Sequence, residues 1–247
     1  MCMIICKKIG IEHPSQEVLE TCSRANQDGI GIAYTNRGMV NIKKDFTDLG
    51  EYSAWAKTYL KVEDAYVLHF RKATAGLKDE GNRHPFPVTR KSKRLRRTVT
   101  TCDMAAAHNG TFKSLATHKK YSDSLLFVKH ILSDPIVKNN LHTEAMNELI
   151  NGYLDTSKLS IIDRLGNIIN YGLFYAEWGL NFSNWNYKTA PSSSYQDHLR
   201  EECMVCHVYK IRSDVFTTYI GADGPKIICY QCYRERPLLT DGGKSCA

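Results

Sequence analysis

No stretch of this sequence is apolar for anything near the roughly 20 residues that a membrane span requires. Met1–Lys8 is too short, and lacks the apolar segment, to be a secretory signal. Both absences point to a cytoplasmic protein with no membrane partner. There is no internal repeat, which sets repeat architectures aside. Acidic residues are missing from one place in particular. Arg90, Lys91, Lys93, Arg94, Arg96 and Arg97 place six positive charges in eight residues with no acid among them. The chain carries 33 basic and 26 acidic residues, a net +7, and without this run the balance is +1. It is a near-neutral protein with one basic patch. Hydrophobic residues at 43% and charged residues at 24% are those of a soluble globular chain. Its 247 residues suffice for one large domain, alone or with a small module.

Ile4–Cys6, Gly31–Tyr34 and Ala65–Phe70 read as short strands, rich in β-branched and aromatic residues. Ser15–Ala25 and Leu49–Leu60 carry helical spacing, with Ser15 as an N-cap. Val88 and Val99–Thr101 read as strands flanking the basic run, which makes that run a hairpin tip. Ser122–Leu132 is an amphipathic helix capped by Ser122 or Asp123, and Thr143–Tyr153 is a second helix. Leu159–Asp163 and Ile168–Tyr171 form a hairpin across Leu165-Gly166-Asn167. Strands, then helices, then strands again suggest a layered α/β sandwich rather than a doubly wound parallel sheet.

Beyond Tyr187 the texture changes. Residues 188–200 are a linker containing Ala190-Pro191-Ser192-Ser193-Ser194. Residues 201–237 carry the cysteines, and 238–247 form a polar, disordered tail. Nine cysteines are an odd count, and four of them form two CxxC pairs. Cys203 with Cys206, and Cys229 with Cys232, are separated by 22 residues, close to the spacing of a four-thiolate structural zinc site. In a reducing compartment that favours Zn2+ over disulfides. A segment of this size needs such a staple to fold. The module balances five basic against five acidic residues, so its charge gives no support for gripping phosphates. The run Arg90, Lys91, Lys93, Arg94, Arg96 and Arg97 is the better candidate for nucleic acid or an acceptor, and a solvated loop is the plainer reading of it.

The second residue is the most informative. Removal of Met1 would leave Cys2 with a thiol nucleophile and a free α-amine. An α-amine titrates at about 7.7–8.0, so near neutrality part of it is free to take the thiol proton. Four segments follow in order. They are His69-Phe70-Arg71-Lys72-Ala73-Thr74-Ala75-Gly76, Asn82-Arg83-His84-Pro85, Ala107-His108-Asn109-Gly110-Thr111 and Tyr121-Ser122-Asp123-Ser124. Gln27-Asp28-Gly29-Ile30-Gly31 and Phe182-Ser183-Asn184 accompany them. In order and spacing, residues 2–187 resemble the glutaminase domain of class II glutamine amidotransferases, which are N-terminal-nucleophile hydrolases. The resemblance implies a four-layer αββα sandwich and hydrolysis of the glutamine side-chain amide at Cys2.

The same resemblance assigns roles, and the chemistry of each residue suits them. Asn109 and Gly110 would offer N–H groups to the oxyanion. Arg71 would bind the substrate α-carboxylate as a bidentate fork, and Asp123 the ammonium. Thr74 and His84 would line the glutamine pocket, with His69, His84 and His108 serving as positioning groups because the amine is already the base. Each residue also has a plainer reading. Asn109-Gly110 is a common hairpin turn, Arg71 could pair with a surface acid, and Asp123 could simply cap its helix. Lys72 and Ala75 depart from the Trp and His that synthase-type members often carry. Nothing after Tyr187 is long enough to be a synthase, so the ammonia would serve a partner or a separate acceptor. Two other readings stand beside this one: an amidohydrolase acting on another amide, and a zinc-bearing nucleic-acid-binding or inhibitory protein on an inactive hydrolase scaffold.

Overall fold

The computed structural model describes residues 2–74, 76–116 and 118–188, together with the backbone of four strands between residues 200 and 229. The chain divides into two compact units, Met1–Thr189 and Ala190–Ala247.

The first unit is mixed α/β with two antiparallel sheets. In chain order its elements are β1 (Met3–Lys7), α1 (Gln16–Ala25), β2 (Ile30–Asn36), β3 (Met39–Phe46), α2 (Leu49–Tyr59), β4 (Tyr66–Phe70), β5 (Phe86–Pro87), α3 (Ser92–Leu95), β6 (Val99–Cys102) and β7 (Met104–Asn109). There follow α4 (Asp123–Phe127), which runs on as a wider π turn to Leu132, then α5 (Pro135–Asn139), α6 (Glu144–Leu154), β8 (Lys158–Asp163), β9 (Ile168–Tyr171), β10 (Tyr175–Glu177) and β11 (Leu180–Phe182). The seven-stranded sheet has the order β10-β11-β1-β4-β2-β3-β6, and the four-stranded sheet β5-β7-β8-β9.

Alternation along the strands sorts the core into three clusters. Met3 and Ile5 of β1 pack with Val18, Leu19 and Cys22 of α1 and with Tyr52 of α2. Ile4 and Cys6, the residues between and beyond them, join Ala105 and Ala107 of β7 and Ile162 of β8, so here the two sheets face each other. Ala106, Leu159 and Ile161 turn to the other face of the small sheet, against Leu125, Phe127, Ile150 and Leu154 of α4 and α6. Side chains as fully buried as Ile4 and Ile5 contribute about 1.5–3 kcal/mol each to stability. The helix starts are fixed locally. Ser15, Asp48, Ser122 and Thr143 each accept a backbone N–H from the first turn that follows them.

Two expectations change. The basic run is not a hairpin tip, because its flanks join different sheets: β5 pairs with β7 and β6 with β3. Between them the run folds into α3, anchored by the fully buried Leu95. The second change is β3, a strand with no counterpart in the pattern reading. Its even positions, Val40, Ile42, Lys44 and Phe46, are all buried. A lysine in that row obscures the alternation.

In the second unit β12 (Arg200–Glu202) pairs antiparallel with β13 (Tyr209–Ile211), and β14 (Phe216–Gly221) with β15 (Gly224–Cys229). Cys229 closes β15. Cys203, Cys206, Cys232, most of the linker and the tail lie outside the described residues. Among the described residues no helix is long and apolar enough to cross a membrane.

Candidate active site

Cys2 stands immediately before β1, a central strand hydrogen-bonded on both sides, by β4 and by β11. Two side chains from the segment after β11 fix that end of the strand. Asn184 Nδ2 donates to the Cys2 carbonyl at 2.7 Å, and the Ile4 N–H donates to Ser183 Oγ at 2.9 Å. The β1–β4 register pairs Met3 with Phe70, so the chain leaving β4 passes beside Cys2. There the Cys2 thiol donates to the Lys72 carbonyl at 3.2 Å, and the Lys72 N–H points at Sγ from the same distance. Burial pushes the thiol pKa up, while the Lys72 N–H and nearby positive charge, Arg71 included, pull the other way. The thiolate therefore has a backbone donor waiting for it.

Asn109 and Gly110 arrive from the other sheet, at the end of β7. One Asn109 Nδ2–H donates to Ser183 Oγ at 2.9 Å, which ties the two sheets together beside Cys2. A carboxamide nitrogen carries a second N–H. Gly110 has φ +146°, which disfavours any side chain, and a methyl there would run into Ser157. The Asn109-Gly110 pair is thus not a two-residue hairpin turn: β7 and its neighbour β8 are joined through residues 110–157.

Arg71 is buried at 4% exposure and donates to two loop carbonyls, from Nη1 to Asp79 at 3.0 Å and from Nη2 to Leu77 at 2.9 Å. Among the described residues no carboxylate lies within ion-pair distance of it. Asp123, 3% exposed, is in the same condition with respect to cations. The N-cap of α4 is Ser122, and Asp123 Oδ2 instead takes the Phe112 N–H at 2.6 Å. Burial raises the Asp123 pKa, opposed by the N–H groups of Phe112 and Ser124. The readings of Arg71 as a surface ion pair and of Asp123 as only a cap both fail. An unpaired buried charge is costly. Here two of opposite sign line one small pocket with Cys2, Lys72, Thr74, His84 and Gly110.

The loop from Arg71 to Arg83 is held by polar side chains. Asn82 Nδ2 donates to Leu77 and Lys120 carbonyls at 3.2 and 2.8 Å, and its Oδ1 accepts from Ser122 N–H at 3.0 Å. Asp28 Oδ2 accepts from Ala73 N–H at 2.8 Å, and Thr74 Oγ1 lies 3.4 Å from Thr111 Oγ1. Arg96 of the basic run reaches inward to Asp79 at 2.6 Å, and fully buried Lys44 donates to Gly81 and Leu95 carbonyls at 3.3 and 3.0 Å. Part of the basic run is therefore structural. Arg90 pairs with Asp134 and Arg94 donates to the Thr101 carbonyl, while Lys91, Lys93 and Arg97 are exposed.

In the pocket lining, His84 Nδ1 lies 2.9 Å from Nε2 of the buried His69, and His108 Nδ1 lies 2.8 Å from Ser124 Oγ. Burial drives the pKa of His69 and of His108 down to about 3, and that of His84 well below its ordinary value. All three are neutral at pH 7, which suits positioning better than proton transfer.

A larger cavity of about 500 Å³ shares Cys2, Lys72, Thr74 and Gly110 with the small pocket and is lined by Asn109 as well. Pattern reading missed the parts played by Ser183, Asn184, Asn82 and the Lys72 amide. Ser183-Asn184 and Asn82 stood in the quoted segments, but their work is to hold backbone groups, which no spacing reveals. Among the described residues no group of three His, Cys, Asp or Glu side chains is arranged to hold a metal. No protein-family model matches the chain, and a search of curated proteins finds no match.

Proposed function

We propose that this protein is a glutamine-hydrolysing enzyme of the N-terminal-cysteine type, supplying ammonia to a separate acceptor or synthase. One observation carries the reading: Cys2, Gly110, Arg71 and Asp123, from four separate stretches of chain, line one pocket, and the two charged members have no ion-pair partner among the described residues. A zwitterionic amino-acid end is the ligand whose carboxylate and ammonium answer both charges. The helix–sheet–sheet–helix order of the three core clusters is in keeping with the αββα sandwich of N-terminal-nucleophile hydrolases.

The chemistry follows from the residues. In a chain processed to expose Cys2, the free α-amine takes the thiol proton, and sulfur attacks the side-chain amide carbon. The Gly110 N–H and the second Asn109 N–H stabilise the oxyanion, each such donor contributing roughly 2.7–4 kcal/mol. The C–N bond breaks, ammonia leaves with the proton returned by the amine, and water hydrolyses the γ-glutamyl thioester to glutamate. The pocket between Arg71 and Asp123, about 20 Å³, holds about one water, so the amino-acid end enters by displacing the side chains around it. Zn2+ held by Cys203, Cys206, Cys229 and Cys232 belongs to the same proposal as a structural ion for the second unit.

The test is glutamate release from glutamine by protein whose intact mass shows Met1 removed, beside Cys2→Ala. Turnover that falls by at least about 10³-fold in the variant is expected. Equal rates in both proteins would overturn the reading.

A further inference from the structure

Cys2 lines two adjoining spaces of very different size. The small pocket holds Arg71 and Asp123; the cavity of about 500 Å³ holds neither. The spaces meet at Cys2, Lys72, Thr74 and Gly110. With the amino-acid end of a γ-glutamyl group held by Arg71 and Asp123, and its carbonyl at Cys2 and Gly110, the small pocket would be filled, and the large cavity is the adjoining space that a substituent on the amide nitrogen would enter. Ammonia carries nothing and needs about the 30 Å³ share of one water. The space present is more than ten times that, and falls in the roughly 300–1,000 Å³ range of sites that hold drug-sized ligands.

The lining has the character of a binding surface. Tyr153 of α6 is 43% exposed, its ring tilted against Phe112 at 5.5 Å and its hydroxyl 3.2 Å from Ser114 Oγ. Thr111, Thr156 and Ser157 add hydroxyl-bearing residues to the walls, beside Lys113, Asp155, Asn109 and Leu154. An aromatic face ringed by hydroxyls suits a flat amine substituent that stacks and accepts hydrogen bonds.

We propose that the larger cavity beside Cys2 is a subsite for the amine portion of N-substituted γ-glutamyl amides, so that the enzyme hydrolyses amides of amines much larger than ammonia. The inference rests on the glutaminase reading for its nucleophile and its amino-acid pocket. The balance is that of any amide hydrolysis at a thiol. The Cys2 S–C bond forms, the C–N bond breaks, and the substituted amine departs with the proton first taken from sulfur. Water then cleaves the thioester to glutamate and free thiol, with no oxidant or further reactant.

The experiment measures kcat/KM for glutamine, γ-glutamyl ethylamide and γ-glutamyl anilide with the full chain after Met1 removal. S114W, which narrows the cavity, and Y153L, which removes its ring, are measured alongside, each checked for an unchanged Tm. The anilide is expected to exceed glutamine at least tenfold, and the anilide-to-glutamine ratio to fall at least tenfold in either variant. Glutamine turnover with the anilide slower or inert would overturn the inference and leave the glutaminase reading standing. Failure of every substrate would overturn both. An anilide preference that survives unaltered in folded S114W and Y153L would also overturn the subsite.

Discussion

The two sides of the site around Cys2 are built differently. On one side Cys2, Asn109 and Gly110 sit at the ends of strands deep in two sheets, tied by Ser183 and Asn184. On the other, Arg71 extends the ladder through backbone bonds with Gly29 and Asp28, and the loop beyond it, to Arg83, hangs mainly on side-chain bonds from Asp28, Asn82, Arg96 and Lys44. Strand ends are fixed by a ladder of backbone bonds and a buried core, which hold Cys2, Asn109 and Gly110 in register. A loop held by a few side chains can yield to a ligand. Under the proposed function the reacting groups stand on the rigid side, while the loop carbonyls of Leu77 and Asp79 that hold the Arg71 guanidinium stand on the adjustable one.

The largest effect expected on the rigid side comes from protons. His69 and His108 titrate at about 3 when folded, against about 6.5 in an unfolded chain. Between these values the unfolded state binds more protons, so stability is full above about pH 6.5 and is lost as pH falls toward 3. At pH 5 the loss is roughly 2 kcal/mol per histidine, about 4 for the pair, readable by denaturant unfolding at pH 7 and pH 5. Equal stability at both would mean that these imidazoles are solvated and that side is looser than described.

Gly110→Ala strikes the same side through its backbone. The φ of +146° and the collision with Ser157 displace the N–H, and turnover is expected to fall about 10²–10³-fold. A variant that folds and turns over normally would separate Gly110 from the oxyanion role. At the head of the adjustable loop, Arg71→Met should act mainly on KM. Loss of charge-assisted bonds worth about 1.5–3 kcal/mol raises the KM for glutamine roughly tenfold to a hundredfold, and iodoacetamide labelling of Cys2 slows as the thiol loses a nearby positive charge. A loss confined to kcat would place Arg71 with the reacting groups instead. Arg96→Ala is the smallest. Its half-exposed bond to Asp79 is worth under about 1 kcal/mol, so KM should rise no more than about fivefold. A larger change would mean that the basic run governs the substrate loop.

Legibility followed the range of the interactions. The helices at Gln16–Ala25, Leu49–Tyr59 and Glu144–Leu154 lie within a residue or so of their expected spans, because a cap and a hydrophobic stripe act over a few neighbours. The β8–β9 hairpin was legible for the same reason. The basic run was misplaced because Val99–Cys102 looks like a strand whatever its partner, and its partner is β3, more than 50 residues earlier in the case of Val40 with Cys102. β3 itself escaped because Lys44 fills a core position. That position is tolerable only where two carbonyls accept from its amine and the Phe86 ring lies 4.2 Å away. At the site, the residue types and their order were readable, but the unpaired state of Arg71 and Asp123 was not.

What the sequence determined by itself was local and compositional. It set a cysteine at position 2, a glycine at 110 where a side chain is disfavoured, serines and threonines that start helices, and a charge excess confined to one run. Which of these residues meet was decided by the tertiary structure. Sheet register brings the end of β4 beside Cys2, the facing of two sheets brings Asn109 to Ser183, and the packing of α4 sets Asp123 in the pocket that Arg71 lines. The physical reason is that capping and chain stiffness depend on a few adjacent residues, whereas desolvating two opposite charges beside one thiol takes groups from more than 100 residues of chain.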